Sequence, residues 1–278
     1  MTEPLILTAR AKTGIDTVRQ ALTNPKTLNL WLGEHSTVDL PGTFEFWGRY
    51  IPEGDAPRQR VLGYDDRTLK LAWSLGGEET TTEITLIEEG PDSTLIKLSQ
   101  TGFDYADLVA GGNVRGVLQT FWSLALANLV DHLEGRELTP RQDFTSVDFS
   151  GEVLIDAPAA QVYDSLVDSE KVSAWFGYPI GIEARVGGRY AMGGFDSGMP
   201  AAKVVDLVEG SKMSVDWGPA GVSTWELAES EGKTRLTFVM SGFDTGNAPY
   251  SAWLGWLSGV AELRRFNEQK DWRPIWVA

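Results

Sequence analysis

Cysteine is absent from the 278 residues. That excludes a disulfide framework, a thiolate nucleophile and any cysteine-ligated metal. Histidine is scarce: His35 and His132 are the only two, both in the first half. No H-x-x-x-H spacing exists, so zinc has no support, and a serine–histidine dyad cannot form in the second half. No cofactor or metal is expected. Long apolar runs are missing as well. The longest, near 121–130, is interrupted by Ser123 and Asn128, and a membrane-spanning helix needs about 20 apolar residues. The opening stretch, Met1 to Gly14, carries no apolar leader core behind a basic end. These absences predict a soluble, cytoplasmic protein. Positive charge is in deficit, with 24 Lys and Arg against 39 Asp and Glu and a net charge of −15. Residues 1–140 hold 12 cations against 20 anions, and the remainder holds 12 against 19. Such a surface repels phosphate backbones and anionic headgroups, so neither nucleic acid nor membrane is expected as a partner.

What is present is a repeat. Residues 21–33 read ALTNPKTLNLWLG and residues 165–177 read SLVDSEKVSAWFG. Leu22 matches Leu166, Trp31 matches Trp175 and Gly33 matches Gly177. Further on, Leu69–Trp73 (LKLAW) matches Met213–Trp217 (MSVDW), and Gly102-Phe103-Asp104 recurs as Gly242-Phe243-Asp244. Two domains follow, 1–138 and 146–278. Between them Arg136–Val147 is polar, holds Pro140 and reads as a linker.

Each copy has the same predicted elements. A strand (Leu5–Ala9; Gly151–Ile155) precedes two short helices (Asp16–Leu22 and one opening at Pro25; Pro158–Val167 and Glu170–Phe176). Short strands then alternate with turn residues. They are Thr43–Tyr50, Arg58–Gly63, Thr68–Trp73, Thr81–Ile87 and Thr94–Gln100 in the first copy. In the second they are Arg189–Gly193, Ala202–Leu207, Lys212–Trp217, Ser223–Leu227 and Thr234–Met240. Short connections imply an antiparallel meander. Each copy closes on a helix apolar on more than one face, hence an enclosed one. The predicted fold class is α+β, a curved antiparallel sheet wrapped around a long terminal helix, twice in tandem. A sheet cannot close tightly on a helix along its whole length, so a cavity is expected in each copy.

This order resembles the helix-grip superfamily (START, Bet v 1-like, SRPBCC), as do three local motifs. They are W-L/F-G after the second helix (Trp31-Leu32-Gly33, Trp175-Phe176-Gly177), the glycine turn before a strand (Gly42, Gly187-Gly188) and Gly255-Trp256 in the last helix. Within it the chain looks most like the branch named after the C-terminal domain of the activator of Hsp90 ATPase. The superfamily includes lipid and hormone binders and aromatic cyclases. The resemblance implies non-catalytic binding of a small hydrophobic or amphipathic molecule in an internal cavity. Two alternatives stand beside it. One is a protein-interaction module with a chaperone partner. The other is a cyclase or hydrolase using a buried carboxylate, Arg49 with Tyr50, or Arg189 with Tyr190.

Eleven tryptophans are many for this length. Trp31, Trp47, Trp73 and Trp122 in the first copy are candidate walls of a ligand cavity, with Trp175, Tyr190, Trp217, Trp225 and Trp256 in the second. Each also serves as ordinary core, since an aromatic ring buries about 150–250 Å² regardless. Glu45, Glu183 and Glu226 lie on strands, and a catalytic role for any of them requires burial and a raised pKa. Gly255, Ser258, Gly259 and Ala261 make one helix unusually small, which signals close packing or room for a ligand. The tail Lys270–Ala278 carries Trp272, Ile275 and Trp276 and is expected to dock on a domain or subunit interface.

Overall fold

The computed structural model describes residues 3–104 and 113–277. They form two compact units. Met1–Val147, Tyr250–Ser258 and Ile275–Ala278 group in the first, Asp148–Pro249 and Gly259–Pro274 in the second.

The first unit contains β1 (Leu5–Ala11), α1 (Ile15–Thr23), α2 (Pro25–Trp31), β2 (His35–Asp39), β3 (Thr43–Trp47), β4 (Gln59–Tyr64), β5 (Thr68–Leu75), β6 (Glu78–Gly90), β7 (Ser93–Gln100) and α3 (Leu118–Leu133). The second contains β8 (Phe149–Ile155), α4 (Ala159–Val167), α5 (Ser169–Phe176), β9 (Ile180–Ile182), β10 (Arg189–Met192), β11 (Ala202–Val208), β12 (Lys212–Asp216), β13 (Val222–Ser230) and β14 (Lys233–Ser241). The last helix, α6 (Tyr250–Glu268), is divided between the two groups. The α+β helix-grip architecture read from the sequence is what the structure shows, and every connection within its sheets is antiparallel.

Equivalent residues do equivalent work in the two copies. Asn24 caps α2 by accepting the Lys26 N–H at 2.9 Å, and Asp168 caps α5 by accepting the N–H groups of Glu170 and Lys171 at 2.9 and 3.0 Å. Such caps satisfy donors that the helix leaves unpaired. The Trp31 indole N–H donates to the Ala21 carbonyl at 3.2 Å, and that of Trp175 donates to Ser165 at 2.8 Å. Each bond ties one short helix to the other. Gly102 and Gly242, which open the repeated G-F-D, have φ of +81° and +74°, a region that favours glycine.

The sheets differ at one end. The order is β1-β7-β6-β5-β4 in the first unit, with β2-β3 a separate hairpin; in the second it is β8-β14-β13-β12-β11-β10-β9. In the second unit β10 joins β11 by backbone pairing of Arg189 with Lys203 and Tyr190 with Ala202. In the first unit a side chain takes that place. The buried Gln59 carboxamide oxygen accepts the backbone N–H of Phe46 at 3.1 Å and of Arg58 at 3.3 Å. β9 is only three residues long, and no strand was expected there.

α3 is enclosed, as its all-round apolar pattern predicts: every residue from Leu124 to Asp131 is buried. The small residues of α6 serve close packing. A Cβ on Gly259 would lie 3.0 Å from the Phe176 ring and 3.1 Å from that of Trp175.

The segment read as a linker is an ordered strap packed within the first unit. Asn128 on α3 exchanges two hydrogen bonds with the backbone of Thr139, at 2.8 and 3.0 Å. Phe144 donates its N–H to the Arg49 carbonyl at 2.7 Å, and its ring lies 6.5 Å from Phe121 and 5.2 Å from Tyr250. Its polar composition and Pro140 read as a linker, yet Thr139 and Gln142 are buried.

The tail adds to the free edge of β1. Arg10 donates its N–H to Ile275 and Val277 donates to Thr8, both at 2.9 Å, around an antiparallel bridge between Ala9 and Trp276. Ile275 is buried there, and the exposed edge of β1 is thereby covered. Trp272 instead packs on Phe266 at 5.1 Å and donates to Glu262 at 3.2 Å. Among the described residues no helix is long and apolar enough to cross a membrane.

Candidate functional site

In the first unit the space between sheet and helix is occupied. β3 alternates so that Phe44 and Phe46 face inward, β5 contributes Trp73, and α3 contributes Phe121 and Trp122. Trp73 lies 5.3 Å from Phe46, 5.8 Å from Phe121 and 5.9 Å from Trp122, mostly edge to face, the arrangement that ring quadrupoles favour. The Trp122 indole N–H donates to the buried Gln100 carboxamide at 3.1 Å. The same oxygen accepts the Thr82 hydroxyl at 2.6 Å. Trp73 and Trp122, expected as cavity walls, are brought together as core.

Unfilled space lies instead at the end of this cluster, in a recess lined by Trp31, Leu32, Tyr50, Phe121, Leu124, Ala125, Arg141, Gln142 and Leu254. It has about 230 Å³ of unfilled volume including its open side, but the centre of a water molecule fits within only about 10 Å³ of it, room for a single water. One wall is apolar: Trp31, Phe121 and Leu124 are all buried. The other is cationic. The Arg141 guanidinium centres 4.0 Å above the Tyr50 ring and donates to the Gly33 carbonyl at 2.8 Å. Burial pulls its pKa below the usual arginine value. Arg49 approaches the same ring at 5.0 Å and pairs with Glu34 at 3.2 Å. Trp31 and Tyr50 were legible as candidates. Arg141 and Gln142 were not, because they sit in the segment read as linker.

Trp47 is not part of this group. It is one residue out of phase with Phe46, so it faces the other side of β3, half-buried, 5.6 Å from exposed His35. His132 is half-buried in the last turn of α3.

In the second unit Tyr190 is buried and its ring lies 5.3 Å from half-buried Trp217, whose N–H donates to Ser223 at 2.7 Å. Trp225 is buried and stacks on Phe238 at 4.9 Å, and Trp175 meets Phe176 at 5.8 Å. Trp256, expected with them, is buried on the part of α6 that groups with the first unit. Arg189 and Tyr190 do not converge. Neighbours on a strand point to opposite faces. Arg189 is exposed, paired with Glu183 at 3.0 Å and 4.4 Å over Phe195, while burial raises the Tyr190 phenol and keeps it neutral. The strand glutamates lack the environment of a general acid. The Arg189 hydrogen bond lowers the pKa of Glu183, Glu226 is exposed beside Lys212 at 3.3 Å, and Glu45 is half-buried on the outward side of β3. No group of metal-ligating side chains occurs among the described residues.

Residues 156–266 match the family model described as Activator of Hsp90 ATPase homolog 1-like protein. No curated protein matches the chain. Among solved structures, CalU16 from Micromonospora echinospora is 25% identical, with 51% of this chain and 79% of that one covered and a TM-score of 0.39. The di-domain ARO/CYC protein BexL from the BE-7585A biosynthetic pathway is 16% identical, over 98% of this chain and 100% of its own, with a TM-score of 0.37. DynU16, from the dynemicin biosynthetic locus, is 18% identical, over 96% and 98%, with a TM-score of 0.38. The stretch that matches the Activator of Hsp90 ATPase homolog 1-like model lies in the second of the two helix-grip copies.

Proposed function

We propose that the chain binds a small amphipathic molecule without transforming it, and that the ligand enters the first unit at the recess between Trp31, Phe121, Leu124 and Tyr50. The observation that carries this reading is the recess itself: buried aromatic and aliphatic walls meeting a few polar groups at an open side. Small-molecule sites have that composition. The clear volume is small, so a ligand enters by displacing side chains of the open side. A titration of intrinsic tryptophan fluorescence with a panel of fatty and aromatic amphiphiles tests it. A saturable response is expected in the native protein and none in Ala125→Leu, which fills the recess. The cost of that overpacking is about 1–3 kcal/mol, so folding is checked by circular dichroism. No saturable response, or one that Ala125→Leu leaves intact, removes the reading.

A second reading, a protein-interaction module with a chaperone as partner, is favoured by one surface of the second unit. Tyr178, Phe195 and Met199 are exposed at 44%, 42% and 41%. They gather around Gly193 and Gly181, where a Cβ would strike Met199 at 2.5 Å and the Phe195 ring at 2.9 Å. Calorimetry against a purified Hsp90-type chaperone tests this. Binding that is lost in Phe195→Ser/Met199→Ser supports it, and no heat of binding in the native protein removes it.

A further inference from the structure

We propose that the recess of the first unit selects an anion, a small carboxylate with an apolar body, and that Arg141 is the group that recognises it. This rests on the binding function proposed above and specifies the chemistry of its ligand.

Arg141 lies on the strap and reaches the recess from there. A guanidinium presents five N–H donors in a planar fork. Its one hydrogen bond among the described residues runs from Nη1 to the Gly33 carbonyl at 2.8 Å, and its face rests on Tyr50 at 4.0 Å. Among the described residues no carboxylate lies within ion-pair distance of it. The nearby acid, Glu34, is engaged elsewhere: it pairs with the Arg49 side chain at 3.2 Å and accepts the Arg49 backbone N–H at 3.1 Å. Glu34 thus pairs with one of the two arginines at Tyr50, which leaves Arg141 without an ion-pair partner among the described residues. A half-buried cation without a counterion is costly unless something supplies one. The remaining donors form the geometry that matches a carboxylate in two parallel hydrogen bonds.

The stacked ring fixes the plane of the fork, so the donors are oriented before a ligand arrives. The opposite wall, Trp31 with Phe121 and Leu124, accepts the apolar body and holds no counter-charge. A ligand with a carboxylate at one end and a flat or aliphatic body at the other satisfies both walls at once. An uncharged analogue satisfies only one.

The experiment compares a carboxylate with its alcohol: 2-naphthoate against 2-naphthalenemethanol, and decanoate against decanol, by calorimetry at pH 7.5. Each acid is expected to bind native protein at least ~10-fold more tightly than its alcohol, the factor a charge-assisted hydrogen bond commonly supplies. Arg141→Gln is expected to abolish that preference, so that each acid and its alcohol bind within about twofold of one another, and Arg141→Lys to restore part of it. Equal affinity of acid and alcohol for the native protein overturns the anion assignment and leaves the binding function standing. Absence of binding by every probe overturns both. The comparison on native protein needs no variant, so it holds even if removing the Arg141–Gly33 bond loosens the strap. A preference for the acid that survives in a folded Arg141→Gln assigns the recognition to another cation and overturns the role given to Arg141.

Discussion

Replacing Trp31 or Trp175 with Phe keeps most of the ring but leaves a buried carbonyl, Ala21 or Ser165, without its indole donor. A buried acceptor left unmatched costs about 1–3 kcal/mol. Both substitutions are expected to destabilise by that amount, read from urea denaturation followed by circular dichroism. A neutral result at either site would show that the bond does not join the helix pair. Trp73→Ala removes the ring at the centre of the first unit's cluster and is expected to cost about 3–5 kcal/mol in the same assay. Residue roles were unevenly legible. The tryptophans stood out by number, but number does not distinguish core from wall. Trp47 could have been placed outside from its phase relative to Phe44 and Phe46. Nothing local to Arg141 signals its contact with Tyr50, because that contact joins residues 91 positions apart through the fold of the strap.

At the level of elements, hydrophobic alternation and turn residues located the meander strands to within a few residues, because one face of each sheet is buried. β9 escaped because three residues carry no periodic signal. The strap was misread because its order comes from side chain to backbone bonds, such as Asn128 to Thr139, rather than from an apolar stripe. Asn128→Ala severs both bonds and leaves the buried Thr139 backbone N–H unmatched, for an expected loss of about 1–3 kcal/mol. Hydrogen exchange at the Thr139 amide is expected to accelerate with it, and unchanged protection there contradicts the packed strap.

β1 and its added tail strand offer a second test. Arg10 on β1 holds Glu89 by hydrogen bond at 2.7 Å, and with Ser93 it depresses the Glu89 carboxyl from the ordinary 4.5 to about 2. A depressed carboxylate contributes stability above its unfolded pKa and loses it as pH falls through the folded one. The difference in melting temperature between native protein and Glu89→Gln is therefore expected to be full above about pH 4.5 and gone near pH 2. Because the pair is partly exposed, high salt is expected to shrink it. Deleting residues 275–278 strips two backbone bonds from β1 and is expected to lower the melting temperature and speed exchange at the Arg10 amide.

For the whole molecule, the two copies keep one plan while differing in what fills them and how the sheet ends. Gln59 replaces a backbone ladder in the first, and a continuous seven-strand sheet stands in the second. The repeat itself was plain in the sequence, since W-L/F-G and G-F-D occupy positions where the fold needs an indole bond and a left-handed turn. What the interior leaves unfilled was not, because it depends on how five rings from β3, β5 and α3 meet. A net charge of −15 adds a prediction at this scale: no sedimentation with phosphatidylserine vesicles at physiological salt. The decisive measurement is a crystal structure of the native chain grown with 2-naphthoate at saturating concentration. Density for the ring against Trp31 and Phe121, with its carboxylate on Arg141, is the predicted result. A recess still closed around its single water-sized space, or ligand bound only elsewhere, would contradict the account.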